Sequence, residues 1–248
     1  MKNKFVSKKT VLILACIAIA LLLVLLYLLL APLFRGPEIP DSPLTSTTDL
    51  TEPTEPPVTD NPVSTTEPVV VDPQMLPHMA EIYAKNPDVV GWVKIGGTKL
   101  DYPVMHTPED PEKYIHLNFE GRYSYGGLPF MEDDCCMDPE SDNLIIYGHN
   151  MNDGSMFHKV EEFFNDRSLF DNATVEYVTE NGVYIYEPLA LYRCDAYYPF
   201  FMHEFSSDEA YLDFCDMISE KAFYLSDVEY DESSTLISFA TCVNSITT

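Results

Sequence analysis

Cys242 closes the alternating apolar run Leu236-Ile237-Ser238-Phe239-Ala240-Thr241. A strand of that kind delivers its last side chain to a rim of the fold, where a thiol can meet a substrate. A thiol nucleophile needs a partner that keeps it ionised or exchanges its proton, most often an imidazole. His149 is the candidate, because it follows the strand-like run Asn143-Leu144-Ile145-Ile146-Tyr147 and Gly148, ahead of the polar loop Asn150-Met151-Asn152-Asp153-Gly154. A thiol and an imidazole at two strand ends would support acyl transfer through a thioester. Taken alone the pair is a weak signal, since no local motif joins the two residues.

Other chemistry-bearing residues read as structural. His78, His106, His116, His158 and His203 are taken as surface or core residues. Cys194 and Cys215 read as buried apolar thiols, with a disulfide between them left open. Cys135 and Cys136 are adjacent, a spacing at which a mutual disulfide would be strained, and no cysteine spacing fits a zinc site. The acidic runs Glu132-Asp133-Asp134 and Asp227 to Glu232 lack the spacing and central Gly of a calcium loop, so they read as solvated faces. No cofactor and no metal is expected.

The elements that must carry Cys242 and His149 are mostly strands. Val89 to Ile95, Lys99 to Val104, Asn143 to Tyr147, Thr174 to Val178, Val183 to Tyr192 and Thr235 to Thr241 have strand character. A helix over Gln74 to Lys85 should stop at Asn86-Pro87. Met156, Phe157, Val160 and Phe164 recur at helical spacing, and so do Tyr211, Phe214, Cys215, Ile218 and Ala222 behind a capping-box signature at Ser206 to Glu209. Many short strands with few helices predict a mainly β barrel or sandwich.

Three further segments precede this domain. Residues 1–10 form a basic tail with Lys2, Lys4, Lys8 and Lys9, and residues 11–30 carry no charge, Pro or Gly. Twenty such residues make a helix of about 30 Å, the thickness of a bilayer's hydrocarbon core. The lysines in front predict a single-pass span with a cytoplasmic N-terminus and everything after it outside the cell. Residues 31–73, dominated by Pro, Thr, Ser and acids without an aromatic residue from Gly36 on, form a stalk that cannot bury a core. Residues 74–248 are the folded domain. The full chain has 14 Lys and Arg against 40 Asp and Glu, a net charge of -26. Nucleic-acid partners are excluded, because phosphate binding needs clustered cations.

Several blocks resemble one family. Asn86-Pro87-Asp88-Val89-Val90-Gly91-Trp92-Val93-Lys94-Ile95, Gly97-Thr98-Lys99-Leu100-Asp101-Tyr102-Pro103-Val104, Tyr147-Gly148-His149-Asn150-Met151 and Asp153-Gly154-Ser155-Met156-Phe157 stand in the order found in the class B sortases. Those are membrane-anchored cysteine transpeptidases of Gram-positive bacteria. The resemblance implies a sortase β-barrel with an N-terminal helix and a long helix, Asp208 to Phe223, before the nucleophile strand. It makes His149 the active-site histidine and Cys242 the nucleophile, with Ser238-Phe239-Ala240-Thr241-Cys242 matching the family's Thr-Leu-x-Thr-Cys. The implied partners are exported proteins bearing a C-terminal sorting signal, and an amine of a peptidoglycan precursor or a pilus subunit. Specificity is expected in the aromatic-rich loop Tyr192 to Asp208.

One departure stands out. Sortases use an Arg on the strand after the nucleophile, whereas this sequence has no Arg after Arg193 and runs six residues past Cys242. The expectation is a chain truncated before its last strand, with Arg193 or Arg122 as weaker substitutes. Two other functions stand as alternatives: a wall-associated cysteine peptidase using the same Cys and His, and a noncatalytic, membrane-tethered binding module, for which the missing Arg is the support.

Overall fold

The computed structural model describes residues 40–43, 75–136, 141–195 and 201–242. The basic tail, the apolar span at 11–30 and nearly all of the stalk lie outside these residues. Among the described residues no helix is long and apolar enough to cross a membrane.

Seven strands form one sheet in the order β6-β5-β1-β2-β3-β4-β9, curled into a nearly closed barrel. They are β1 (Val89–Ile95), β2 (Asp101–Met105), β3 (Phe130–Met131), β4 (Asn143–Tyr147), β5 (Val175–Val178), β6 (Val183–Tyr186) and β9 (Leu236–Ala240). A separate two-stranded ribbon pairs β7 (Ala190–Leu191) with β8 (Tyr224–Leu225). The β2–β3 and β4–β9 pairings are parallel and the rest antiparallel. The core is apolar and continuous, with Trp92, Val93, Leu100, Ile145, Ile146, Phe157 and Tyr177 fully buried in it. Trp92 keeps its one polar atom satisfied by donating from Nε1 to Asp101 Oδ1 at 2.6 Å.

Helix α1 (Met75–Lys85) ends where expected, and Asn86-Pro87-Asp88 does more than end it. Asn86 is buried, and its Nδ2 donates to Phe119 O at 2.8 Å and to the Tyr114 hydroxyl at 3.0 Å, while its Oδ1 accepts from Asp88 N at 3.0 Å. Asp88 in turn holds Lys113 Nζ at 2.5 Å and the Tyr114 hydroxyl at 2.8 Å. The motif therefore fastens a distant 3-10 turn, Lys113–His116, onto the start of β1.

Several expected elements shift, each for a local reason. The strand expected from Lys99 starts at Asp101, because Ile95 to Leu100 is a turn closed by Ile95 N to Leu100 O at 3.0 Å. The run Val183 to Tyr192 breaks into β6 and β7 across Glu187 to Leu189, where Pro188 lacks a ladder donor. The helix expected from Met156 begins only at His158, since Met156 sits at φ 54, outside helical geometry. It becomes α2 (His158–Glu162) and α3 (Arg167–Asp171), the second started by Asp166, whose side chain accepts from Ser168 N. Helix α4 (Asp208–Lys221) is close to expectation, but its cap is Ser207 accepting from Ala210 N, so Ser206 and Glu209 form no capping box. It buries Tyr211, Phe214, Cys215 and Ile218 on one face.

The Asn86 and Gly127 positions yield two stability predictions. Asn86→Ala strands two acceptors and one donor, and should lower unfolding free energy by about 2–4 kcal/mol, read from urea melts. Gly127 has φ 57, and a Cβ there would lie 2.3 Å from Ile115 O and 2.4 Å from Tyr114 O. Gly127→Ala should therefore cost about 2 kcal/mol or more in the same melts, through both the backbone conformation and the displaced turn.

Candidate active site

The parallel pairing of β4 with β9 runs from Asn143 opposite Leu236 to Tyr147 opposite Ala240. Continued by two residues, the same register sets His149 opposite Cys242. The chain keeps that register past the strand ends: Gly148 N donates to Ala240 O at 3.2 Å, and Thr241 Oγ1 donates to Gly148 O at 2.7 Å. Asn150 adds a third tie, its Nδ2 donating to Cys242 O at 3.1 Å. Farther down, Ser238 Oγ donates to Oδ1 of the fully buried Asn143 at 2.8 Å, which gives the hydroxyl at that position a structural purpose. Gly148 is needed because a Cβ there would lie 2.8 Å from the Phe157 ring, which also packs edge-on against Phe239 at 5.5 Å.

The two side chains differ in setting. Cys242 is exposed and His149 is half-buried. His149 Nε2 lies 3.1 Å from Ile115 O. A carbonyl only accepts, so Nε2 carries the hydrogen and the lone pair of the neutral ring resides on Nδ1. The ring also stacks on His116, centroids 5.3 Å apart and planes 19° from parallel. Burial holds His149's proton affinity below that of an ordinary imidazole; the Ile115 carbonyl pulls the other way, and His116 adds to the lowering. Asn150 is itself fixed, hydrogen-bonded to Glu161 Oε2 and, through Oδ1, to His158 Nδ1 at 2.8 Å.

Both residues open onto a groove of about 760 Å³. Its lining is mostly apolar, with Leu128, Phe163, Val175, Leu191, Ile218 and Ile237 among it, and it also takes in Tyr192, Arg193, Cys194, Asp195 and Phe201. The segment expected to set specificity thus contributes to the groove at both ends of the undescribed stretch 196–200. A second aromatic strip, Phe130, Tyr147 and Phe201, runs along it with centroids 5.6 and 6.0 Å apart. The Tyr147 hydroxyl donates to Glu132, whose carboxyl is held above the usual carboxylate range by burial.

The other sequence candidates fall elsewhere. Cys135 and Cys215 are buried thiols, and burial pushes Cys135 up to about 11. Cys194 corrects the expectation of a buried thiol: it is exposed on the groove wall, and it and Cys215 are both free, so no disulfide joins them. Its loop leaves β7 immediately, which removes the strand environment that would have buried it. Arg193 lines the groove with its guanidinium 4.4 Å over the Phe164 ring, whereas Arg122 is paired with Glu120 on a surface turn. Among the described residues no group of three His, Cys, Asp or Glu could hold a metal ion. Three residues of the site were not singled out by sequence reasoning. His116 was set aside as structural, and Ile115 acts through a backbone atom that any residue would supply. Asn150 was legible only as the neighbour of His149.

Comparison with known proteins agrees with this architecture. No family model matches the chain. Sortase B of Staphylococcus aureus is 26% identical over 166 residues, covering 67% of this chain and 68% of that protein. Sortase B of Listeria monocytogenes is 27% identical over 172 residues, covering 69% and 70%. Among solved structures, the Staphylococcus aureus sortase B-substrate complex superposes with a TM-score of 0.64 at 26% identity, covering 68% of this chain and 78% of that one. Sortase B from Listeria monocytogenes does so with a TM-score of 0.60 at 27% identity, covering 66% and 93%. The chain is thus similar, in sequence and in fold alike, to class B sortases.

Proposed function

We propose that the chain is a membrane-anchored cysteine transpeptidase that joins exported proteins to an amine of the cell wall or of a pilus subunit. The observation that carries this reading is the pair Cys242 and His149, set opposite each other by the β4–β9 register at the mouth of an apolar groove. A substrate complex of a similar sortase B supports a peptide sorting signal as the groove's occupant.

The reaction has two stages. Cys242 Sγ, as thiolate, attacks the carbonyl carbon of the scissile peptide bond, and the C–N bond breaks as protonated His149 gives a proton from Nδ1 to the departing amine. The product of this stage is a thioester. An incoming amine then attacks the thioester carbon, His149 Nδ1 takes its proton, and the C–S bond breaks to return the thiolate. The new amide preserves the acyl bond without an external energy source. The apolar span at 11–30 and the stalk at 31–73 would hold the domain outside the cell, with the N-terminus in the cytoplasm.

The test uses the full chain in detergent with a library of quenched fluorogenic peptides and hydroxylamine as the amine. Transpeptidation predicts hydroxamate products formed in proportion to hydroxylamine, whereas a peptidase would yield carboxylates at a rate indifferent to it. Cys242→Ala should abolish product and the thioester adduct seen by mass spectrometry. His149→Asn should lower turnover by about 100-fold or more. Turnover that survives Cys242→Ala would overturn the assignment.

A further inference from the structure

His149 does not stand alone beside Cys242. His116, the last residue of the 3-10 turn, stacks on it at 5.3 Å, and Tyr125 and Tyr123 flank His116 in turn at 6.2 and 6.0 Å. Each imidazole has its own backbone acceptor: His149 Nε2 meets Ile115 O, and His116 Nδ1 meets Tyr125 O, both at 3.1 Å. The turn thereby grips the His149 ring from two directions, by a carbonyl in its plane and by an imidazole against its face.

The other ionisable groups around this site are engaged elsewhere or belong to the reaction. Cys242 stands across the register. Glu161 and His158 of α2 are tied to Asn150, and Glu132 to Tyr147. Arg193 lies over Phe164. Asp195 lines the groove on the loop after β7. His116 is the group in ring contact with His149.

We propose that His116 is a positioning residue for His149: it fixes the ring plane with Nδ1 free and, when it carries a proton, opposes a second positive charge on the stacked ring. The consequence is a bias of His149 toward the neutral form, the one that takes a proton from the incoming amine. The lowered proton affinity of His149, to which both burial and His116 contribute, has the sign this requires. The inference rests on the transpeptidase reading for its place in the reaction, but the stacked pair itself can be measured without turnover.

The experiment follows His149 by NMR in the full chain labelled with 13C at the histidine Cε1, and follows the pH dependence of hydroxamate formation in parallel. His116→Phe keeps a stacked ring and removes its charge. It should raise the His149 midpoint by about half a unit to two units, the range expected for one charge about 5 Å away between bulk-water and near-surface screening. The acid limb of the rate profile should move up by the same amount with the melting temperature unchanged. His116→Ala should produce the same upward shift and also slow turnover, since the ring loses its support. An unmoved His149 midpoint in both variants overturns the proposal, as does a midpoint that falls. A chain that shows the coupled shift but forms no thioester would sink the transpeptidase assignment and leave the stacked pair standing.

Discussion

Everything at the mouth of the groove depends on the parallel register between β4 and β9. Parallel strands separated in sequence by more than ninety residues are aligned only by their ladder bonds and by what anchors them at each end. A slip of one residue would turn Cys242 to the opposite face, because side chains alternate along a strand. Two side-chain hydroxyls guard against that slip. Ser238 is bonded to Asn143 low in the pair, and Thr241 is bonded to the Gly148 carbonyl at the top. The same Asn143 donates to Met202 O at 2.9 Å, so the segment leading into α4 is held to the strand that carries His149.

A second constraint acts from far away in sequence. The Asn86-Pro87-Asp88 corner contributes nothing to the groove, yet it binds the turn whose Ile115 carbonyl and His116 ring define the His149 orientation. Its partners are buried or charge-assisted, which makes them worth more than typical surface bonds. Gly127 allows the turn to lie against the following chain, where any side chain would strike two of its carbonyls. Loop residues that place an imidazole are thus secured by the first strand of the barrel.

Much of this was legible in the sequence, and the failures have physical causes. Long runs with a clear period are legible: Val89–Ile95 and Asn143–Tyr147 match the expected strands, and Leu236–Ala240 falls one residue inside the expected Thr235 to Thr241 at each end. Two-residue strands such as Phe130–Met131 and Tyr224–Leu225 carry no period to read and exist only because neighbours supply their bonds. Strand ends are a sequence property, which is why Cys242 and His149 could be proposed. Their meeting is a property of the sheet order, which no local pattern in the sequence encodes. His116 lies 33 residues before His149 on a turn without regular pattern, and nothing local distinguishes it from a surface histidine.

The proposed chemistry asks one imidazole to act twice in opposite senses, as acid for the departing amine and as base for the arriving one. Burial favours the neutral ring and so works against the first stage, which needs a proton donor. The Ile115 carbonyl counters this, because its hydrogen bond strengthens when the ring is charged. His116 pushes back toward neutrality, through its ring stacked on that of His149. The three influences come from one short stretch of chain and its burial against β4. Opposed influences keep the neutral and protonated rings closer in free energy than burial alone would, which suits an imidazole that must serve both stages.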